Sequence, residues 1–371
     1  MKKRLYTWLG IALFVWLVHD AMLLFGCLVT RGEISLDAFR SLVWERLTVP
    51  GDAERYLQIA REGYVTEGPD AINLVFYPLY PVLMRVFSLF GLLPMEVTGM
   101  VISRLALAAA SVCLYELVKM DGDEKAAFFS VVLMAVYPFS MFTMGIYTES
   151  LFLLLTIGCM LMIRKDRMIF AGVLGFLAAL TRVQGMLLVF PAVYRIVAGR
   201  LGEEKRKLRW TDLCVFLIPA GFIVYLMINA SLHGNAFQFL IYEEGEPWYQ
   251  TSRWIGENIA LQFRQVQEFK GLEWVIYIPQ LVLYFTALAV LFLGIRNGVR
   301  MEYLLYGAVY LGFTYLSGWM ISGGRYMLCC FPCFIVLGQL KKDSVRMGIT
   351  ALSTGIFTVY SLMFLMGYAI M

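Results

Sequence analysis

Long, unbroken apolar runs with few charges occupy most of this sequence. Of the 371 residues, 60% are hydrophobic and only 16% are charged, and the mean hydropathy is +0.72. In soluble globular domains, about a quarter of the residues are charged. A chain that crosses lipid must satisfy its backbone in helices or a closed barrel, and continuous apolar runs are typical of helices. The sequence therefore predicts an all-α polytopic membrane protein.

The apolar runs predict about 11 transmembrane helices in a single membrane-embedded domain over residues 1–371. The first run follows a short basic N-terminus and has no cleavable-signal pattern, so it is interpreted as a retained span. Two outer loops are predicted at about 30–96 and 232–272. The predicted spans lie at about 5–29, 97–119, 126–146, 149–163, 168–181, 184–198, 211–231, 273–295, 301–321, 325–340 and 346–370.

The segment 76–93 has the hydropathy of a span, but charge placement favours a membrane-surface helix on the outer side. Arg85 in its middle fits an interfacial helix better than a lone lipid-facing charge. With this segment outside, about 19 of the 31 Lys and Arg share the cytoplasmic side, as the positive-inside rule expects. These charges lie at the N-terminus and in 119–125, 164–167, 195–209, 296–300 and 341–346.

The same topology places four polar stretches on one outer face together with the loop 232–272. Short turns between hydrophobic spans rarely need a charged side chain, so four such turns on one side predict a shared site. The stretches are GDAERY (51–56), YTES (147–150), TRVQG (181–185) and GGRY (323–326).

Asp52 and Glu54 form a pair of carboxylates two residues apart in the first outer loop. Two neighbouring carboxylates divide roles when one takes a proton from a hydroxyl nucleophile and the other tunes its pKa or binds substrate. The alternative is a pair of solvated loop residues. Their place in a polar loop against the membrane of an otherwise apolar chain makes Asp52 a candidate base.

Arg182 and Arg325 are candidates for binding a phosphate group. Arg182 lies between two apolar runs and Arg325 follows two glycines, and the planar guanidinium forks suit phosphate oxygens. The alternative for both is snorkelling to the interface. Glu149 either pairs with one of these arginines or binds a substrate hydroxyl, and its alternative is a capping role at a helix N-terminus.

Other polar residues are assigned weaker roles. His19 and Asp20 lie deep in the first span and are interpreted as a structural contact to a neighbouring helix, and Arg104 is interpreted as structural. A loop with Glu243, Glu244, Glu246, Trp248 and Tyr249 has the residue types that contact carbohydrate. Cys329, Cys330 and Cys333 are interpreted as small apolar residues of a span.

Several function classes are excluded by their missing motifs. The sequence has no phosphate-binding Walker loop, dinucleotide fingerprint, H-E-x-x-H or G-x-S-x-G. Only two histidines are present, which is too few for a His-based metal site. The net charge of +4 is placed in short loops and indicates topology rather than nucleic-acid binding. An enzyme built from this chain would therefore work with carboxylates and arginines.

Dispersed motifs resemble those of a known enzyme family. DAERYLQIAREGY followed by FYPLYP is similar to the membrane mannosyltransferase family that includes the second mannosyltransferase of GPI-anchor synthesis and its bacterial relatives. YTESLF, ALTRVQG and GRYML resemble three later motifs of that family. The matches occur in the right order from residue 52 to about residue 330 and cover most of the chain.

The resemblance implies a C-type glycosyltransferase, a many-span helical enzyme that uses a polyprenyl-phosphate sugar, usually mannose, and inverts the anomeric centre. It implies that Asp52 is the catalytic base. The sequence departs from the family at Gly51, where Trp is expected, and at Val183-Gln184, where Pro-Asn is expected. The predicted substrate-binding residues are Glu54, Tyr56, Tyr80, Glu149, Arg182, Gln184, Arg325 and Tyr326.

The predicted partners are a polyprenyl-phosphate sugar donor, a lipid or glycan acceptor and the bilayer itself, with no nucleic acid. A divalent metal is optional, and no metal ligand is assigned. A bacterial plasma membrane is the predicted location, with the site facing outward. Two alternatives stay open: a lipid-linked sugar flippase or other transporter, which the intramembrane His19 and Asp20 fit better, and a protein O-mannosyltransferase or a transferase for another sugar.

Overall fold

The computed structural model describes residues 2–49, 51–201, 207–271, 273–318 and 321–370. Helices account for 77% of the structure, and no β-sheet forms among the described residues. Part of the predicted basic loop 195–209, namely 202–206, lies outside the described residues. The prediction of an all-α fold is confirmed.

Seventeen α-helices are described. The first nine are α1 (Lys2–Arg31), α2 (Leu36–Leu47), α3 (Asp52–Glu62), α4 (Leu79–Phe87), α5 (Met95–Lys119), α6 (Glu124–Ala135), α7 (Glu149–Arg164), α8 (Met168–Ala179) and α9 (Val189–Leu201). The others are α10 (Leu217–His233), α11 (Gln238–Glu244), α12 (Ile255–Glu268), α13 (Ile278–Arg296), α14 (Met301–Thr314), α15 (Gly323–Leu328), α16 (Pro332–Gly338) and α17 (Asp343–Met366).

Five continuous helical stretches are long and apolar enough to cross a bilayer, so the chain is a multi-pass membrane protein. These are Lys2–Arg31, Met95–Lys119, Trp210–His233, Glu273–Arg296 and Asp343–Met366. Each coincides with a predicted span. Trp210–His233 begins with a 3₁₀ segment, and Glu273–Arg296 begins with the π-helical segment Glu273–Tyr277.

The other six predicted spans fall on shorter helices, so the count of 11 stays a prediction. The expected helix 126–146 ends at Ala135, because Pro138 has no N–H and restricts the residue before it. The expected helix 325–340 is divided into α15 and α16, and Pro332 begins the second of them. Proline thus explains why these two apolar runs are not continuous helices.

The segment 76–93 contains only α4, a helix of nine residues. At 1.5 Å per residue, such a helix rises about 13 Å, whereas the hydrocarbon core is about 30 Å thick. This segment therefore does not cross the bilayer as one helix.

The chain divides into two compact units. The first unit comprises Met1–Arg61, Tyr80–Leu154 and Leu337–Met371. The second unit comprises Glu62–Leu79 and Leu155–Val336. The prediction of a single domain over residues 1–371 stays a prediction.

Polar contacts join the long helices of the first unit. The two guanidinium nitrogens of Arg104 on α5 donate to the two carboxylate oxygens of Asp20 on α1, at 2.7 and 2.8 Å. The ring of His19 lies 3.0 Å from the carbonyl oxygen of Ala135 on α6. His19, Asp20 and Arg104 therefore make structural contacts between helices, as interpreted from the sequence.

Close helix packing in the second unit depends on small residues. A Cβ on Gly172 of α8 would lie 2.3 Å from the carbonyl oxygen of Cys214, and one on Gly221 of α10 would lie 2.2 Å from that of Phe176. Backbones approach this closely only where side chains are absent, which is the usual way that helices pack in membranes.

A buried charge cluster ties α7, α9 and α14 together in the second unit. The carboxylate of Glu302 lies 3.7 Å from Arg164 and 3.8 Å from Arg195. Arg164 also donates to the hydroxyl of Tyr303 at 3.0 Å. The side chains of Arg164 and Glu302 are only 5% and 6% exposed, so removal of Glu302 takes an acidic partner from a buried arginine.

We expect Glu302→Gln to destabilise the protein, because the buried Arg164 then loses an acidic partner. The expected loss is about 3–5 kcal/mol of the free energy of unfolding, measured by denaturant unfolding in detergent. The matched control is Glu124→Gln, which breaks the exposed pair of Lys119 and Glu124 and should change stability much less. Equal losses in the two variants would contradict the buried-cluster interpretation.

Candidate active site

Asp52 is the first residue of α3, the short helix that carries the acidic motif. Gly51 precedes it with a φ of +64°, and Gly63 follows the helix with a φ of +83°, a conformation that favours glycine. Asp52 is partly buried and Glu54 is exposed. Both lie in the first turn, where the helix dipole stabilises a carboxylate.

One face of α3 is buried and fixes the helix in the first unit. Tyr56 is 5% exposed, and its ring makes an edge-on contact with Tyr80 at 5.4 Å. The hydroxyl of Tyr80 donates to the carbonyl oxygen of Gly99 at 2.9 Å and lies 2.8 Å from the hydroxyl of Ser103. Tyr56 and Tyr80 thus hold the helix that carries Asp52.

Glu149 begins α7 and is fully buried, with 0% exposure. The irregular stretch before it, 136–148, contains only the 3₁₀ turn Ser140–Thr143 and is buried throughout. Its backbone finds partners within the first unit: Ile146 N–H donates to the carbonyl of Leu47 at 3.0 Å, and the Ser150 hydroxyl donates to the carbonyl of Thr143 at 3.0 Å. Irregular backbone survives in a membrane protein only when it is enclosed in this way or lines a cavity.

Arg182 lies in a tight turn of the second unit that only glycine at position 185 permits. The Gly185 N–H donates to the carbonyl of Arg182 at 2.9 Å. A Cβ on Gly185 would lie 2.2 Å from the carbonyl carbon of Ala178. The turn therefore packs directly on the end of α8, and Gln184 within it is buried.

Arg182 and Arg325 are both buried in the second unit, at 9% and 6% exposure. The Arg182 guanidinium carbon lies 5.5 Å from the centre of the Tyr326 ring, a cation–π distance. The carbonyl of Tyr326 accepts from the Tyr310 hydroxyl at 2.9 Å, and the Gly323 N–H donates to the side chain of Gln280 at 3.2 Å. These bonds anchor the GGRY motif.

The predicted site residues belong to both units. The second unit brings together Arg182 and Tyr326 by direct contact. The predicted residues of the first unit are Asp52, Glu54, Tyr56, Tyr80 and Glu149, and those of the second unit are Arg182, Gln184, Arg325 and Tyr326.

The sequence did not predict an aromatic cluster in the second unit. Three of its members lie in the FYP motif or in the loop 232–272. The ring of Tyr77 stacks on Tyr225 at 4.0 Å, and Phe76 meets Trp248 at 6.1 Å. The Tyr77 hydroxyl is buried without a hydrogen-bond partner in the described part of the chain. The proline-aromatic alternation of FYPLYP was the only signal for this cluster.

Burial also shifts the pKa values of Tyr77 and of Glu243, whose charge acts on Tyr77. It raises the pKa of Glu243 from its ordinary value of 4.5 to about 7. Burial, and then the negative charge of Glu243, raise the pKa of Tyr77 well above its ordinary value. Glu243 is therefore a carboxyl group that changes charge near neutral pH.

No group of three or more His, Cys, Asp or Glu side chains in the described ranges is arranged to hold a metal ion. The cysteines of the C-C-x-x-C motif are free and buried. The sulfur atoms of Cys330 and Cys333 lie 3.9 Å apart.

The family assignment follows from the sequence match to a family model. The model described as Mannosyltransferase (PIG-V) matches residues 34–268. The chain belongs to this family. It is therefore a membrane glycosyltransferase, and the resemblance drawn from the motifs is confirmed. A comparison with curated proteins finds no match.

Solved structures share the fold at low sequence identity. ArnT from Cupriavidus metallidurans bound to undecaprenyl phosphate aligns with a TM-score of 0.56 and 12% identity, over 98% of this chain and 76% of that one. The apo state of the same protein aligns with a TM-score of 0.54 and 13% identity, over 96% and 76%. At this identity the likeness establishes the fold alone.

We expect the stability of the protein to fall as the pH rises from about 5 to about 7, in part because of Glu243. The folded state binds the Glu243 proton more tightly than the unfolded chain, since its pKa is raised to about 7, so its favourable contribution is lost on deprotonation. Glu243→Gln should remove this component in thermal unfolding at pH 5 and pH 8.

The matched control for this measurement is Glu244→Gln, at the exposed neighbouring position. An unchanged pH dependence in Glu243→Gln would show that burial does not raise the pKa of this carboxyl.

Proposed function

We propose that this glycosyltransferase moves a sugar, mannose, from a polyprenyl-phosphate donor to a hydroxyl of a lipid or glycan acceptor on the outer face of the membrane. The observation that carries the proposal is the burial of Arg182 and Arg325 in the segments that the family motifs identify. The family match supports mannose. The fold shared with ArnT bound to undecaprenyl phosphate supports a lipid-phosphate donor.

In this proposal the two arginines hold the donor phosphate. A guanidinium presents paired N–H donors to phosphate oxygens, and such contacts are strong where water is excluded. The contact with Tyr326 orients Arg182. Glu149, buried at the start of α7, accepts from a sugar hydroxyl.

Asp52 acts as the general base. Its carboxylate takes the proton of the acceptor hydroxyl, and the oxygen attacks the anomeric carbon from the face opposite the phosphate. The bond between the anomeric carbon and the phosphate oxygen breaks, and polyprenyl phosphate leaves with the electron pair. The arginines stabilise this developing charge, so no acid has to protonate the leaving group. The configuration inverts, and a divalent metal is optional.

The donor's prenyl chain needs an apolar groove. One such cavity of about 420 Å³ lies in the second unit between α12 and α13, lined by apolar residues that include Phe263, Leu281 and Phe285. This groove supports the proposal. The proposal also includes 11 transmembrane crossings and a membrane-surface location for 76–93. It places the protein in a bacterial plasma membrane with the site facing outward.

A flippase is the second candidate function. Its one supporting feature was the pair of intramembrane residues His19 and Asp20. Both make structural contacts, to the Ala135 carbonyl and to Arg104, and this favours the enzyme. A protein O-mannosyltransferase would differ only in its acceptor.

We predict that Asp52→Asn lowers sugar transfer by about 10²- to 10⁴-fold, the usual contribution of a general base. The protein should fold normally, because Asn has nearly the size and shape of Asp and position 52 is only partly buried. The measurement is transfer of label from polyprenyl-phosphate mannose to a lipid extract. The matched control is Glu62→Gln at the exposed end of the same helix. Near-wild-type transfer by Asp52→Asn would exclude Asp52 as the base.

We predict that Arg325→Ala raises the KM for the donor by about 10- to 100-fold, the effect of losing a charged hydrogen bond. The KM for the acceptor should change little, because the phosphate belongs to the donor. Arg167→Ala, at an exposed position of the second unit, is the matched control. An unchanged donor KM in Arg325→Ala would count against a phosphate-binding role.

A further inference from the structure

Helix α12 carries a row of buried carboxamides that the proposed mechanism does not use. Asn258, Gln262 and Gln265 are 1%, 1% and 0% exposed. Their spacing of four and three residues places them on one face of the helix. Gln267 on the same helix is exposed, so burial is confined to that face.

The hydrogen-bonding capacity of this row is largely unused. Neither the nitrogen nor the oxygen of the Gln262 and Gln265 amides has a partner among the described residues, and neither has Oδ1 of Asn258. The Asn258 nitrogen does donate to the carbonyl of Tyr315 at 2.9 Å, which fixes that side chain. Buried polar groups are costly without partners, so those that persist normally bind a water or a ligand.

The helix that carries the row packs against irregular backbone. Helix α12 packs against the π-helical segment Glu273–Tyr277. Such turns are rare in proteins as a whole, but those that occur are often found at functional sites. One carboxylate oxygen of Glu273 is also buried without a partner in the described part of the chain. A Cβ on Gly318 would lie 3.4 Å from Oδ1 of Asn258, so the backbone passes close to the row.

The chemistry of the row selects an uncharged ligand rich in hydroxyl groups. Each carboxamide offers donors and an acceptor together, which matches the hydroxyls of a sugar ring, and none of the three carries the positive charge that suits a phosphate. We propose that Asn258, Gln262 and Gln265 form a subsite for a neutral sugar ring. This inference rests on the proposed glycosyl transfer, and the ring belongs either to the donor or to a glycan acceptor.

The test uses Gln262→Met/Gln265→Met, because methionine keeps the length of the side chain and removes the unpartnered polar atoms. The purified protein in detergent is probed by saturation-transfer NMR with methyl α-mannopyranoside. Wild type and the control Gln267→Met should give the sugar signal, and the double variant should lose it while melting at the same or a higher temperature. If the double variant does not fold, Gln265→Met alone is measured in the same way.

The kinetic arm distinguishes the two sources of the sugar. A rise of about tenfold in the KM for the donor alone assigns the subsite to the donor sugar, and a rise for the acceptor alone assigns it to the acceptor. An equal sugar signal in wild type and variant, or none in wild type, would overturn the subsite and leave a row that binds water only. Failure of wild type to transfer any sugar would contradict the proposed reaction, while the NMR result would still decide the subsite.

Discussion

The lack of water inside the bilayer is the constraint on which the rest of this structure depends. Every backbone group that leaves a regular helix must find a partner within the protein. The chain meets this demand in the stretch 136–148, which is buried and hydrogen-bonded within the protein. It also meets it in the turn that contains Arg182, which packs on the end of α8. The motifs proposed to carry the chemistry are thus held by irregular segments, which need the most protein partners inside a membrane.

Charged groups follow the same constraint. The charges of Asp20 and Arg104 and those of Glu302 with two arginines are neutralised in pairs or clusters, because an isolated charge in low dielectric is costly. Arg182 is buried with its guanidinium near the Tyr326 ring, and Arg325 is buried in the same unit. In the proposed reaction, both arginines bind the donor phosphate.

The sequence predicted the helical class, five long helices and the structural contacts of His19 and Asp20, since hydropathy and the cost of buried charge depend on local composition. It did not predict that the helices break near Pro138 and Pro332. The predicted spans followed the length of each apolar run, which is longer than the helix that proline permits. The stacking of Tyr77 on Tyr225 and the unpartnered amides of α12 were also missed. These features depend on residues far apart in sequence or on which helix face is covered.

The most direct test of the central claim is a comparison of sugar donors with the purified wild-type protein. Polyprenyl-phosphate mannose and a nucleotide-linked mannose, labelled equally, are each supplied with a lipid extract from the native cells. The account predicts label transfer from the polyprenyl-phosphate donor alone, with release of one polyprenyl phosphate for each sugar moved. Transfer from the nucleotide sugar in the absence of the lipid donor would contradict it.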